Sequence, residues 1–260
     1  MEYRLKRQLT IGVIFSFFVL SGLVFLFLSQ KTDPTCYDGI LNQDEEKIDC
    51  GGSCSQCVDT YFDDLEVLSS DILFFGGKYD VFAEVKNPNS GYGSGNIRYS
   101  FKFYDQGGNF ISEKKGRSYI LAGETKHILE SNLDVSQIPS FVKFDVEPIN
   151  WQEQIRSTIK LPIFSKKYES VSIPGSPVDS QATGVIENQT NYSFVDVDVV
   201  VILLDSNDKP IAVNQTKINN LRATERRDVV VPWFSKVEGN VSKIYMEASA
   251  NVFDDANILR

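Results

Sequence analysis

The feature that most constrains this chain is a repeat. From about residue 78 onward, short runs of alternating polar and apolar residues are broken by turn residues, and the pattern returns at an offset of about 100. Asp105 matches Asp205, each after an apolar run. Ile111 matches Ile211, Leu121 matches Leu221, Lys143 matches Lys243 and Glu147 matches Glu247; Asn87 matches Asn188, one residue out of register. A series in order at one spacing points to an internal duplication. Each half holds about seven short strands in some 90–100 residues, the size of an immunoglobulin-like sandwich. The expected fold class is therefore all-β, with two tandem immunoglobulin-like β-sandwich domains at 60–152 and 161–260. The linker is expected near 152–161, and IPGSPVDS (173–180) reads as a loop between strands.

The alternation assigns faces. Phe101, Phe103 and Asp105 share one face of a strand, with Lys102 and Tyr104 on the other. In the second half Val195, Val197, Val199, Val201 and Leu203 share an inner face, and Asp196 and Asp198 point out. The supply of 18 Phe and 11 Tyr favours strands over helices, and 42% hydrophobic residues suffice for packed cores.

The N-terminus sets the compartment. Residues 8–30, QLTIGVIFSFFVLSGLVFLFLSQ, carry no charge, and about 20 helical residues cross a bilayer core. Arg4, Lys6 and Arg7 precede the run and only Lys31 follows closely. The expected topology is a cytoplasmic tail at 1–7, a transmembrane signal-anchor helix at 8–30 and everything beyond about residue 31 outside the cell membrane. A cleaved signal peptide would have a shorter apolar core ending at a small-residue site, and FLFLSQK is not one.

Next comes a Cys-rich stalk module, 31–59. Its segment CYDGILNQDEEKIDCGGSCSQC holds all four cysteines, Cys36, Cys50, Cys54 and Cys57. A thioredoxin-like site needs a helix at its C-x-x-C, and glycines precede this one. Zinc is a poorer fit than disulfides in an oxidising compartment. Two disulfides are expected; four cysteines allow three pairings. A bridge closing a loop of about 15 residues, such as Cys36–Cys50, is worth about 3 kcal/mol. Asp38, Asn42, Glu45 and Asp49 supply oxygens of the kind Ca²⁺ takes, and calcium is the one cofactor the module offers; solvated charges and turn caps are the alternative.

Other signals are weaker. GYGSG (91–95) lacks the helix and Lys-Ser/Thr of a phosphate loop and reads as a loop. Asn188, Asn191, Asn214 and Asn240 lie in N-x-[ST] sequons, candidate glycosylation sites. The single histidine, His127, in the strand-like KHILES, reads as an ordinary side chain.

These residues carry two resemblances. FKFYD (Phe101–Asp105), with the later Leu121, Gly123, Glu124 and Thr125, resembles the signature of the FxLYD family, with Phe103 in place of Leu. In the second half VILLD (201–205) and Arg222, Ala223, Thr224 and Glu225 depart further from it. The resemblance implies a β-sandwich on the outside of prokaryotic cells and brings no catalytic residues. The spacing CxDGxxNxxExxxDCGGxCxxC is similar to a short motif of bacterial and other surface proteins.

The net charge of −9 argues against binding a phosphate backbone, so no nucleic-acid partner is expected. No carboxylate pair sits in an apolar pocket pattern, so no enzyme is expected either. The expected function is a membrane-anchored surface protein displaying two sandwiches to a protein or cell-envelope partner. The alternative is a ligand-binding or sensory ectodomain of a membrane complex. An exposed apolar patch favours the first and a deep polar pocket the second.

Overall fold

The computed structural model describes residues 2–29, 35–57, 61–156, 159–171 and 173–259. The chain forms two compact units, Met1–Tyr61 and Phe62–Arg260.

In the first unit, helix α1 spans Glu2–Ser29. Side chains are described for Arg4, residues 7–9, 12–22 and Val24 of it, so the apolar stretch from Phe25 to Leu28, part of the expected span, lies outside them. Among the described residues no helix is long and apolar enough to cross a membrane. Thr35–Cys57 forms the cysteine module, which has no strand or helix of its own among the described residues.

The second unit is all β. Its strands are β1 (Glu66–Phe75), β2 (Lys78–Lys86), β3 (Tyr92–Tyr104), β4 (Phe110–Ile120), β5 (Thr125–Leu133), β6 (Phe141–Val146) and β7 (Gln152–Glu153), then β8 (Ile163–Ser170), β9 (Ser180–Glu187), β10 (Ser193–Leu204), β11 (Pro210–Leu221), β12 (Arg226–Trp233), β13 (Lys243–Ser249) and β14 (Ile258–Leu259). Four antiparallel sheets result. Orders β1-β2-β5 and β4-β3-β6, with β7 also on β3, make the first pair; β8-β9-β12 and β11-β10-β13, with β14 also on β10, make the second. The two pairs match strand for strand. Gln152 and Glu153, expected in the linker, form the last strand of the first pair; residues 157 and 158 of that segment lie outside the described residues.

Each pair encloses its own core, and period-two alternation builds both. In the first, β2 contributes Val81, Ala83 and Val85 and β3 contributes Ile97, Tyr99, Phe101 and Phe103. In the second, Val197, Val199, Val201 and Leu203 of β10 are buried, while Val195 is only partly so. Each buried Val, Leu, Ile or Phe among these contributes about 1.5–3 kcal/mol.

A third apolar cluster joins the pairs. Phe82 of β2, Leu129 of β5, Val200 and Ile202 of β10 and Val213 of β11 are buried together, with Leu73 and Leu204 against them. These residues point away from their own cores. The outer face of β10 is thus polar at Asp196 and Asp198 and apolar from Val200 onward, where the first sandwich covers it.

Candidate functional site

The turns that shape the sandwiches come first, because the signature residues are in them. Asp105 closes the β3–β4 hairpin: its Oδ1 accepts the Asn109 N–H at 2.8 Å, and its own N–H donates to the Asn109 carbonyl. Asp205 does the same with Lys209 between β10 and β11. In both, these bonds hold the carboxyl below the usual carboxylate range: Asn109's side chain acts most strongly on Asp105, and the Lys209 N–H on Asp205.

Asn87 is buried, and its Nδ2 donates to the carbonyls of Tyr92 (2.7 Å) and Leu121 (2.8 Å). Asn188, fully buried, donates to Tyr192 and Arg222 at 2.8 and 2.9 Å. Glu124 and Glu225 accept the N–H groups of Leu121 and Arg222, both at 2.7 Å. Phe101 and Phe103 are core residues. The residues of the FxLYD-like pattern thus pack a core and pin two turns.

The same geometry corrects one glycosylation expectation. The two N–H bonds of Asn188 Nδ2 are both engaged inside the fold, so a glycan there is incompatible with it. Asn191 and Asn240 are exposed; Asn214 is half-buried, and its Nδ2 donates to the Pro232 carbonyl.

In the cysteine module the disulfides are Cys36–Cys54 and Cys50–Cys57, and no cysteine is free. The bridge is not Cys36–Cys50. Such pairing is characteristic of an oxidising, extracytoplasmic compartment. Sulfur atoms of Cys36 and Cys54 gather with a Glu45 oxygen within 4.8 Å, but the sulfurs are bonded to each other and offer no thiolate to a metal. Asp49 Oδ1 accepts the N–H groups of Asp38 and Gly39, both at 3.0 Å. Asp38 accepts from Thr35, Ile40 and Asn42 Nδ2, and Glu45 accepts the Asn42 N–H. The Thr35 N–H, then the Asn42 amide, hold the Asp38 carboxyl below its ordinary range. The four expected calcium ligands therefore converge, but they brace the loop through N–H groups. Among the described residues of the module, Asn42 Oδ1 is the side-chain oxygen buried without a partner. The Gly51-Gly52 pair is needed at this crossing: Gly52 has φ +56°, and a Cβ there would lie 2.1 Å from the Asp44 carbonyl oxygen.

Between the sandwiches lies a cleft of about 690 Å³, lined from β3, β4 and β5 on one side and β10, β11 and β13 on the other. The His127 N–H donates to Glu247 Oε1 at 2.6 Å, and its ring Nδ1 is 3.2 Å from Oε2. Tyr245 donates to the same carboxylate and packs edge-on against the imidazole, 5.0 Å between centroids. Tyr119 donates to Asp198 at 3.0 Å. Burial, then the Asp198 charge, pushes the Tyr119 hydroxyl well above its ordinary pKa. Ser249 donates to Glu124 at 2.6 Å, so one carboxylate serves both a turn and the junction. His127, read as an ordinary side chain, is a buried junction residue.

A second exposed feature lies at the turn end of the β4-β3-β6 sheet. Tyr104 and Phe141 rings stack at 5.2 Å and 9°, Phe110 meets Tyr104 at 6.0 Å, and Lys143 Nζ is 5.4 Å from the Tyr104 ring. Phe110 is 57% exposed, unlike the buried Phe101 and Phe103 of the neighbouring strand.

No protein-family model matches the chain, and no curated protein matches it.

Proposed function

We propose that the chain is a non-enzymatic, single-pass membrane protein. Residues 8–30 form the span with the N-terminus cytoplasmic, and two tandem immunoglobulin-like sandwiches of the FxLYD kind are displayed outside. The uncharged run after Arg4, Lys6 and Arg7 supports the span, and the disulfides support an outside placement for the residues beyond it. The aromatic row Phe110–Tyr104–Phe141 carries the display reading. Three clustered rings, with Phe110 and Phe141 exposed and Tyr104 half-buried between them, are of the aromatic kind enriched at protein interfaces. The partner is a protein or envelope component at that row. A photo-crosslinking residue at Phe110 tests it in cells, with Lys236 as the control position. A discrete adduct at Phe110 alone is expected; equal adducts at both positions, or none, overturns the reading.

A second reading, a ligand-binding or sensory ectodomain, is favoured by the polar cleft between the sandwiches. Calcium at Asp38, Asn42, Glu45 and Asp49 is a further proposal for the module, favoured by the orphaned Asn42 Oδ1. Millimolar Ca²⁺ should then protect residues 35–57 of the full chain from proteolysis; unchanged cleavage removes it.

A further inference from the structure

The charges that wall the inter-sandwich cleft are almost all engaged. Asp198 accepts from Tyr119 and lies 3.7 Å from Lys217, whose Nζ is 3.3 Å from Asp196. Glu130 accepts from the Tyr99 hydroxyl at 3.0 Å and pairs with Lys114 at 3.5 Å. Glu247 is held by His127 and Tyr245. Asp254 accepts the Ala256 N–H.

Lys126 is the buried exception. It borders the cleft, its side chain is buried with the residue only 7% exposed, and its Nζ lies 3.7 Å from the centre of the Tyr119 ring. Among the described residues it has neither an ion pair nor a hydrogen bond. An ammonium carries three N–H donors, and an aromatic face attracts the charge without accepting them in line. A buried cation of this kind calls for an anion. The exposed guanidinium of Arg117 stands at the rim of the same cleft with no described partner.

We propose that the cleft binds a small ligand through a carboxylate seated on Lys126, an inference that rests on the ligand-binding reading above. A single negative charge fits better than a phosphate dianion. Asp198 borders the cleft, bonded to the Tyr119 hydroxyl at 3.0 Å, and a second negative charge would add to its repulsion. The volume suits a ligand rather than a lone ion, since small-molecule sites hold about 300–1,000 Å³. The amide side chains of Asn96, Gln215 and Asn251 line the remainder and suit a polar, uncharged body.

The test is a titration of the full chain in detergent with N-acetylglycine, its neutral amide N-acetylglycinamide, and inorganic phosphate. Methyl- and lysine-selective NMR follows Lys126, Ile128 and Leu129. Saturable shifts with N-acetylglycine, at least tenfold weaker with the amide and with phosphate, and lost in Lys126→Met, are expected. Methionine keeps the stem over Tyr119, and Lys126→Gln serves if the first variant does not fold. Equal binding of acid and amide in wild type and variant overturns the carboxylate site while leaving the cleft a ligand site. No saturable shift with any probe at tens of millimolar overturns both. Neither result bears on the aromatic row.

Discussion

Gly123 and Thr224 stand at the same corner of equivalent turns and share a left-handed backbone, with φ of +65° and +60°. Each turn is closed by a backbone bond from the following glutamate, Glu124 to Leu121 and Glu225 to Arg222. Only the first has the residue that adopts this conformation freely. A β-branched residue held there costs about 1–3 kcal/mol, partly offset by the greater chain entropy of glycine when unfolded. Thr224→Gly should therefore stabilise the second sandwich by about 1 kcal/mol, read as a higher thermal midpoint. A lower midpoint would mean that the bond its hydroxyl donates to the Ala223 carbonyl, at 2.6 Å, outweighs the strain.

Asn188→Ala should be severe for its size. It removes the two donors that serve the Tyr192 and Arg222 carbonyls and the acceptor that serves Thr190, at a fully buried position. The expected loss is about 3 kcal/mol, since each buried group left unpaired costs about 1–3 kcal/mol. Expression in a host that glycosylates asparagine should give folded protein without sugar at Asn188, checked by peptide mass spectrometry; folded, secreted protein bearing a glycan there contradicts the buried placement.

Asp80 gives a pH dependence of defined sign. It is buried, and desolvation raises its pKa although the Asn132 N–H bond to Oδ1 lowers it in part. Folded protein thus holds this proton more tightly than unfolded chain. Stability is lost as pH rises from the ordinary carboxylate value through the raised one. Asp80→Asn keeps the acceptor and removes the charge, so it should stabilise the fold at neutral pH, with the gain shrinking as pH falls through that window. Asp105 and Asp205, whose pKa values are lowered, behave in the opposite sense: their contribution is present above the ordinary value and fades as pH falls through the lowered one. Denaturant midpoints of wild type and Asp80→Asn across acid to neutral pH measure the effect, and a gain independent of pH would refute it.

Phe82 belongs to the junction rather than to either sandwich core. Phe82→Ala should cost about 3–5 kcal/mol in coupling and cavity terms. Calorimetry should then show two unfolding transitions where the wild type shows one. A single transition with little shift would mean that Leu129, Val200 and Ile202 hold the junction without it.

Much of the architecture was legible because alternation and turn chemistry are local. Asp105 and Asp205 announce their hairpins, and Asn87 and Asn188 mark equivalent turns. The first strand of each sandwich carries no such signal. β1 has Ser69, Ser70 and Asp71 in its middle and a bulge after Val67. β8 buries only Ile163 fully and bulges between Phe164 and Lys167. Edge strands bury too little for a clear period. The junction left one signal in the sequence, the unbroken apolar run Val199–Leu204, which is how a strand buried on both faces reads. The cleft left none, because its walls come from six strands far apart in the chain. Disulfide connectivity was open for the same reason: spacing restricts it, and only the fold selects one of three pairings.

The strand-for-strand match also shows where the two sandwiches part company. Where the second sandwich presents Val200, Ile202 and Leu204 to its neighbour, the equivalent positions of the first are Ser100, Lys102 and Tyr104, with Lys102 tied to Asp145 at 2.7 Å. A sandwich docked on β3 by the same rule would meet a polar, charged face instead of an apolar one. The junction is thus written on one face of β10, and docking of the same kind on β3 would require rewriting its alternate residues first.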